Sequence, residues 1–262
     1  MKSDKEIVYG PVASWRLGRS LGVDIICGEK QCTFDCTYCQ LGDAGETTTE
    51  RRLFVETEKV VEAVKEALNS GVEADVITLS GSGEPTLATN LGEIIEELKN
   101  LSSLPVAVLT SGSLMSRQEV REALKKADIV KAKLDAPDKG IFKRLNRPQK
   151  ELELEVIISA MRKFAAESDV FFALEIMFTP ENMDKARRLA ELAETIGPDE
   201  IQINTPHRGS SVSPLTATEL DLVSIPFEQK KLVYRAVNRE QRPEVKDLLG
   251  RSKLKKLKRG EE

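Results

Sequence analysis

Val76-Ile77-Thr78-Leu79-Ser80, Val106-Ala107-Val108-Leu109-Thr110 and Ile129-Val130-Lys131-Ala132-Lys133-Leu134 are three short, β-rich apolar runs separated by helix-length stretches. Runs of this kind suit strands of a parallel sheet buried on both faces. Working outward, Val23–Cys27 precedes them, and Val170–Phe178 and Glu200–Asn204 follow. The stretches between carry apolar residues at i, i+3, i+4 spacing, the mark of a helix with one buried face. One such face is Val60, Val61, Val64, Ala67 and Leu68, and the next is Leu91, Ile94, Ile95 and Leu98. Three more follow: Ala123, Leu124 and Ala127; Val156, Ile157, Ala160, Met161 and Phe164; and Ala186, Leu189, Ala190, Ala193 and Ile196. Thr57 with Glu58, and Ser116 with Glu119, read as helix starts, the latter close to a capping box. Six strands alternating with helices predict an α/β fold with a parallel sheet. Periodicity alone does not choose between an open doubly wound sheet and a full or partial (β/α) barrel. Either closure puts ligands at the carboxyl ends of the strands.

The ends differ from this core. Residues 1–22 form a turn-rich lead-in with Tyr9-Gly10-Pro11-Val12 and Trp15-Arg16-Leu17-Gly18-Arg19-Ser20-Leu21-Gly22. After about residue 209 the strand–helix rhythm stops, with a loop at Gly209–Pro214 and a helix starting at Thr216–Leu222. The expected organisation is a lead-in (1–22), a core (23–208) and a C-terminal extension (209–262). Residues 251–259 hold six basic residues in nine. They read as a solvated terminus or as a contact for nucleic acid or an acidic partner.

The 262 residues carry 39 Lys and Arg against 43 Asp and Glu, a net charge of −4, which excludes a global polycation. The apolar share of 40% excludes whole-chain disorder. No apolar run is long enough to span a membrane, and no secretory h-region follows the charged first residues. A cytoplasmic location is expected.

Three of the four cysteines crowd into Cys32-Thr33-Phe34-Asp35-Cys36-Thr37-Tyr38-Cys39. Three thiolates on one loop can hold three irons of a [4Fe–4S] cubane and leave the fourth without a protein ligand. A structural zinc site wants four ligands, commonly as two pairs, and the second pair is missing. A disulfide is disfavoured in a reducing compartment.

The C-x3-C-x2-C loop after the first strand, with Tyr38 before the last cysteine, resembles the signature of the radical S-adenosylmethionine (SAM) superfamily. The resemblance spans roughly residues 20–208. It implies a partial (β/α)6 barrel, with Cys32, Cys36 and Cys39 holding a [4Fe–4S] cluster whose open iron chelates SAM. Reductive cleavage of SAM would then give a 5′-deoxyadenosyl radical that abstracts hydrogen from a substrate. A ferredoxin- or flavodoxin-like electron donor is implied, with an RNA or a protein among the candidate substrates and no membrane partner. Ser80-Gly81-Ser82-Gly83-Glu84-Pro85-Thr86 resembles the family's Gly-Gly-Glu motif, with Ser82 in place of the first glycine. Ser82, Gly83 and Glu84 are thereby placed near the methionine moiety. Tyr38, Thr110, Ser111 and Asn204 are the other candidates near SAM, and Lys133, Asp135 and Glu175 those for catalysis.

Lys133 and Asp135 stand at i, i+2 and face the same way, where burial without partners is costly. They would either pair with each other at the rim or contact ligand. Glu175 breaks an apolar run and faces either the interior or a helix. His207, the only histidine, and Arg208 follow the sixth strand. Cys27 reads as a small buried residue. The lead-in, the Ser-Gly-x-Gly-Glu-Pro-Thr-Leu run and Lys133-Leu134-Asp135-Ala136 are similar to the wyosine-synthase-related iron–sulfur oxidoreductases. One leftover cysteine excludes a second cluster with three protein ligands. A glycyl-radical-enzyme activase, a tRNA-modifying enzyme and a non-catalytic metal and nucleic-acid binder are the alternatives.

Overall fold

A computed structural model gives the protein's structure and describes residues 7–42, 46–206 and 210–245. His207, Arg208 and the basic tail lie outside the described residues. A single eight-stranded sheet runs in the order β1 to β8. Its strands are β1 (Val8–Ser14), β2 (Gly18–Val23), β3 (Val76–Leu79), β4 (Val106–Thr110), β5 (Ile129–Lys133), β6 (Phe171–Met177), β7 (Glu200–Asn204) and β8 (Tyr234–Ala236). β1 pairs antiparallel with β2, and every later pairing is parallel. The sheet curls into a half-barrel, the partial (β/α) barrel that the resemblance implied.

Helices cover its outer face: α1 (Thr57–Asn69), α2 (Leu91–Leu101), α3 (Gln118–Leu124), a single turn α4 (Lys139–Ile141), α5 (Leu154–Glu167), α6 (Ala186–Ile196) and α7 (Ala217–Gln229). α2 presents Leu91, Ile94, Ile95 and Leu98 to the core, and α6 presents Leu189, Ala190 and Ala193. The outward residues of the strands pack on these faces, and Phe164 of α5 meets Phe172 of β6 edge-on at 5.3 Å.

Four expectations are corrected. The first parallel strand is Gly18–Val23, not Val23–Cys27. Chain direction changes at Asp24, whose Oδ1 accepts from the backbone of Ile26 and Cys27 and offers a turn in place of the ladder. The lead-in therefore contributes a hairpin and the first parallel strand. The rhythm also continues past residue 209: α7 and β8 add one more unit, with β8 parallel to β7. Thr216 and Glu219 form a full capping box at the start of α7. By contrast, α3 starts at Gln118 with no side-chain cap, so Ser116 and Glu119 make no such box. Val156 is exposed, and Leu154 takes its place on the buried face of α5.

Two glycines of the hairpin region have specific tasks. Gly22 lies beneath the ring of Tyr9, where any Cβ would overlap it. The Tyr9 hydroxyl then meets Ser80 Oγ at 2.8 Å, at the end of β3. The β1–β2 turn carries Trp15 to the far side of the sheet. There the Trp15 carbonyl accepts from Arg235 of β8 at 2.8 Å. That bond ties the first parallel strand to the last at the amino end of the half-barrel.

Candidate active site

The loop after β2 carries the three cysteines and is zipped to its neighbours on both sides. Toward β3, Gln31 N donates to Ser82 O at 3.0 Å and Glu84 N donates to Gln31 O at 2.9 Å. Toward β5, Thr37 N donates to Leu145 O at 2.9 Å, and Gln149 N donates to Thr33 O at 2.9 Å. Phe34 also packs edge-on against Phe142 at 5.3 Å. The close approach of Gln31 explains Gly83, since a Cβ there would overlap the Gln31 carbonyl.

All four cysteines are free of disulfides, and Cys32, Cys36 and Cys39 are half-buried. Burial, then the Glu84 carboxylate, pushes the Cys32 thiol up to about 12. Burial, then Asp135, pushes Cys36 up to about 11. Without metal these groups stay protonated, so metal binding must displace protons. Asn146, in the π-helical turn Phe142–Asn146, directs Nδ2 at Cys36 Sγ at 3.5 Å. Lys30 lies close to Cys39 and Cys32, donates to Gly42 O at 2.6 Å and pairs with Asp35 at 3.2 Å.

Among the described residues, no three His, Cys, Asp or Glu side chains gather around a single ion. A cubane makes a different demand, one iron per thiolate. Three undisulfided thiols on one anchored loop, with an amide donor at one sulfur and a lysine beside two others, meet that demand.

Ser82, Gly83 and Glu84 lie next to this loop. Ser82 spends its side chain and N–H on Asp24. Glu84 is buried and already serves four donors: Thr86 N and Oγ1, Thr110 Oγ1 and Ser111 N. Three of these converge on Oε1. The carboxylate therefore fixes the ends of β3 and β4 to each other, and only Oε2 retains capacity to accept. Thr110 is held by Glu84, and Ser111 joins Thr33 and Ser113 in a buried hydroxyl cluster.

At the ends of β5, β6 and β7 the structure brings Tyr38, Lys133, Asp135, Glu175 and Asn204 together. Asp135 accepts from the Tyr38 hydroxyl, from Asn146 Nδ2 at 2.9 Å and from Met177 N at 2.8 Å. Its partner is thus Tyr38, not Lys133. Lys133 lies over the Tyr38 ring at 5.0 Å and stands 4.0 Å from Glu175. Burial works against its ammonium, but Asp135, Glu175 and Cys36 outweigh it and raise its pKa. Glu175 faces the interior, bonded to Arg16 and, through Asn204 Nδ2, at 2.9 Å. Burial raises its pKa, yet Arg16, Lys133, Asn204 and Lys131 together hold it down at about 2. Cys27 donates to Asp24 O in a left-handed turn.

Sequence reasoning missed Arg16, Lys131, Gln202 and Asn146. Lys131 had a signal, since it shares the parity of Lys133. It is buried with Nζ on Gln202 Oε1 at 2.9 Å, and burial lowers its pKa to about 7. Arg16 and Asn146 had none, because their reach depends on tertiary packing.

A curled parallel sheet with a thiol loop on its first parallel strand and a carboxylate-anchored loop on the next defines a half-barrel with a set of loop-held thiols. The comparisons name the class more narrowly. The chain belongs to the radical SAM superfamily, whose model matches residues 30–193 and whose enzymes use a [4Fe–4S] cluster and SAM. It is 42% identical over 202 residues to a UPF0026 protein of Synechocystis sp., covering 77% of this chain and 76% of that one. The fold is similar to that of Streptococcus suis SuiB bound to S-adenosylmethionine, with a TM-score of 0.63, 13% identity and coverage of 84% of this chain and 50% of that one. It is likewise similar to TYW1 with a lysine–pyruvate adduct bound, with a TM-score of 0.62, 18% identity and coverage of 80% and 73%. The chain thus spans half of the SuiB structure. Among the described residues, no helix is long and apolar enough to cross a membrane.

Proposed function

We propose that Cys32, Cys36 and Cys39 each ligate one iron of a [4Fe–4S] cluster, and that the fourth iron takes SAM at the mouth of the half-barrel. The observation that carries this reading is the Gln31 clamp, which sets the thiol loop against Ser82–Glu84. Held by these three thiolates, a cluster would supply the electron delivered by a ferredoxin- or flavodoxin-like donor, and SAM would supply the 5′-deoxyadenosyl radical for hydrogen abstraction, with methionine as the other product. The protein's own share is positioning, burial and charge.

Asn146 orients Cys36 and offers its sulfur an N–H, which favours the thiolate. Glu84 holds the β3 and β4 loops in register, so that the Ser82–Gly83 backbone and Glu84 Oε2 face the methionine end of SAM. Thr110 and Ser111 support that wall. Tyr38 and Asp135 lock the third side of the loop, and Asn204 and Lys133 line the side toward the strand ends. Glu175 stays ionised at neutral pH and serves as a fixed negative charge rather than a proton donor. Lys133 stays an ammonium, suited to an anionic group rather than to attack on a carbonyl.

Anaerobic reconstitution should load about four irons per chain. The reduced protein should then release 5′-deoxyadenosine from SAM, and Cys36→Ala should lower that release to background. Zinc uptake without iron, or intact SAM after prolonged reduction, would overturn the reading.

A further inference from the structure

The interior of the half-barrel carries chemistry that cluster and SAM binding leave unused. Among the described residues, four buried side-chain nitrogen or oxygen atoms have no hydrogen-bond partner: Arg16 Nε, Thr37 Oγ1, Asn90 Oδ1 and Lys133 Nζ. Two of the four are cationic nitrogens, and both belong to side chains that flank Glu175. Arg16 reaches Glu175 Oε2 through Nη1, and Lys133 stands 4.0 Å from Oε1. Leaving a buried charged donor without an acceptor is costly, so an acceptor is what this place lacks.

The carboxylates nearby are already engaged. Asp135 serves Tyr38, Asn146 and Met177 N. Glu175 accepts from Arg16 and Asn204 and only approaches Lys133 at 4.0 Å. Glu200 accepts from Gln202 at 2.6 Å, and Glu240 accepts from Arg235 at 2.7 Å. Lys131, deeper in the barrel, is spent on Gln202. The unmet demand is thus for oxygen lone pairs, and negative charge answers it best. The Arg16 and Lys133 side chains are 21% and 26% exposed, so a small group can reach them even though those nitrogens are covered. Lys133 pairs in register with Glu175 on adjacent strands, which puts these cations one layer below Asp135 and the thiol loop.

We propose that Arg16 Nε and Lys133 Nζ, the unpartnered cationic nitrogens on either side of Glu175, form a substrate subsite for an oxyanion, a carboxylate or phosphate group of the molecule the radical attacks. The placement rests on the radical-enzyme reading. The oxyanion anchors the substrate on the floor, and its hydrogen-bearing carbons extend toward the mouth. Arg16 is then the specificity residue, delivered from beneath by the β1–β2 turn.

The test uses reconstituted protein saturated with SAM, so that the carboxylate of SAM is already placed. Inorganic phosphate and oxalate are titrated separately by calorimetry. Saturable one-to-one binding of either supports the subsite; phosphate alone points to a phosphorylated substrate and oxalate alone to a carboxylic acid. Arg16→Gln should weaken binding at least about tenfold, the loss expected for a charge-assisted hydrogen bond. Arg16→Lys keeps the charge without the fork and should weaken it less, so the subsite remains testable if Arg16→Gln misfolds. Lys99→Gln, which removes a surface pair with Asp128, should change nothing. No saturable binding of either anion to protein that still cleaves SAM would overturn the proposal, as would unchanged affinity in both folded Arg16 variants. Loss of SAM cleavage with Arg16-dependent anion binding intact would instead sink the radical-enzyme reading and leave the subsite standing.

Discussion

At the scale of single residues, Glu175 shows how far sequence reading reaches. Its place in an apolar run marked it as a costly buried carboxylate, and the sequence left two directions open. The structure turns it inward and surrounds it with Arg16, Lys133 and Asn204. Its folded pKa of about 2 lies below its ordinary value of 4.5. Its stabilising effect is therefore complete above about pH 4.5 and is lost as the pH falls toward 2. Glu175→Gln should lower stability at neutral pH by up to about 3 kcal/mol, the free energy of such a shift. Urea unfolding of both proteins between pH 2 and 7 checks this: the gap should close toward pH 2, and a gap independent of pH would contradict it. Lys133 and Asp135 were equally legible as buried polar residues. Their partners were not, because Tyr38 and Asn146 come from other loops.

At the scale of elements, the thiol loop owes its shape to its neighbours. It has no regular structure across the cysteines, and beyond short turns such as Cys39 N to Cys36 O its backbone is held by the β3 loop and the segment after β5. Gly83 is where that dependence is tightest. Gly83→Ala should push Gln31 away, cost roughly 1–3 kcal/mol as overpacking does, and reduce iron uptake on reconstitution. Gly71→Ala is the control that strains the backbone without crowding a neighbour, since its φ is 84° and its Cβ meets open space. It should cost stability without changing iron uptake. Strands β4 and β7 were legible to the residue, β4 as a continuous apolar run and β7 as isoleucines alternating with polar residues. β2 was not, since glycine, arginine and serine dominate its start. Ser20 points into the polar interior, where it bonds Thr78 at 2.7 Å, and Gly22 makes room for Tyr9. β8 was missed for a similar reason, as it is three residues long and carries the interior Arg235.

At the scale of the whole molecule, near-balanced net charge hides a strongly charged interior. The basic cluster visible in the sequence is residues 251–259, yet Arg16, Lys131, Lys133 and Arg235 come together on the inner face of the half-barrel. A sum over the sequence does not reveal which charges the fold brings together. The lead-in, read as a turn-rich preface, supplies Tyr9 to the β3 loop, Arg16 to Glu175 and Trp15 to the closure with Arg235. The fold class was legible from strand–helix rhythm and the cluster loop. The molecule's account of function rests on one claim, that the three thiols hold a cluster whose open iron binds SAM. Electron paramagnetic resonance of the reconstituted, reduced protein with and without SAM tests it most directly. The account predicts a reduced-cluster signal that SAM changes in the native protein, with no such signal in Cys36→Ala. A reduced-cluster spectrum that saturating SAM leaves unaltered would contradict it.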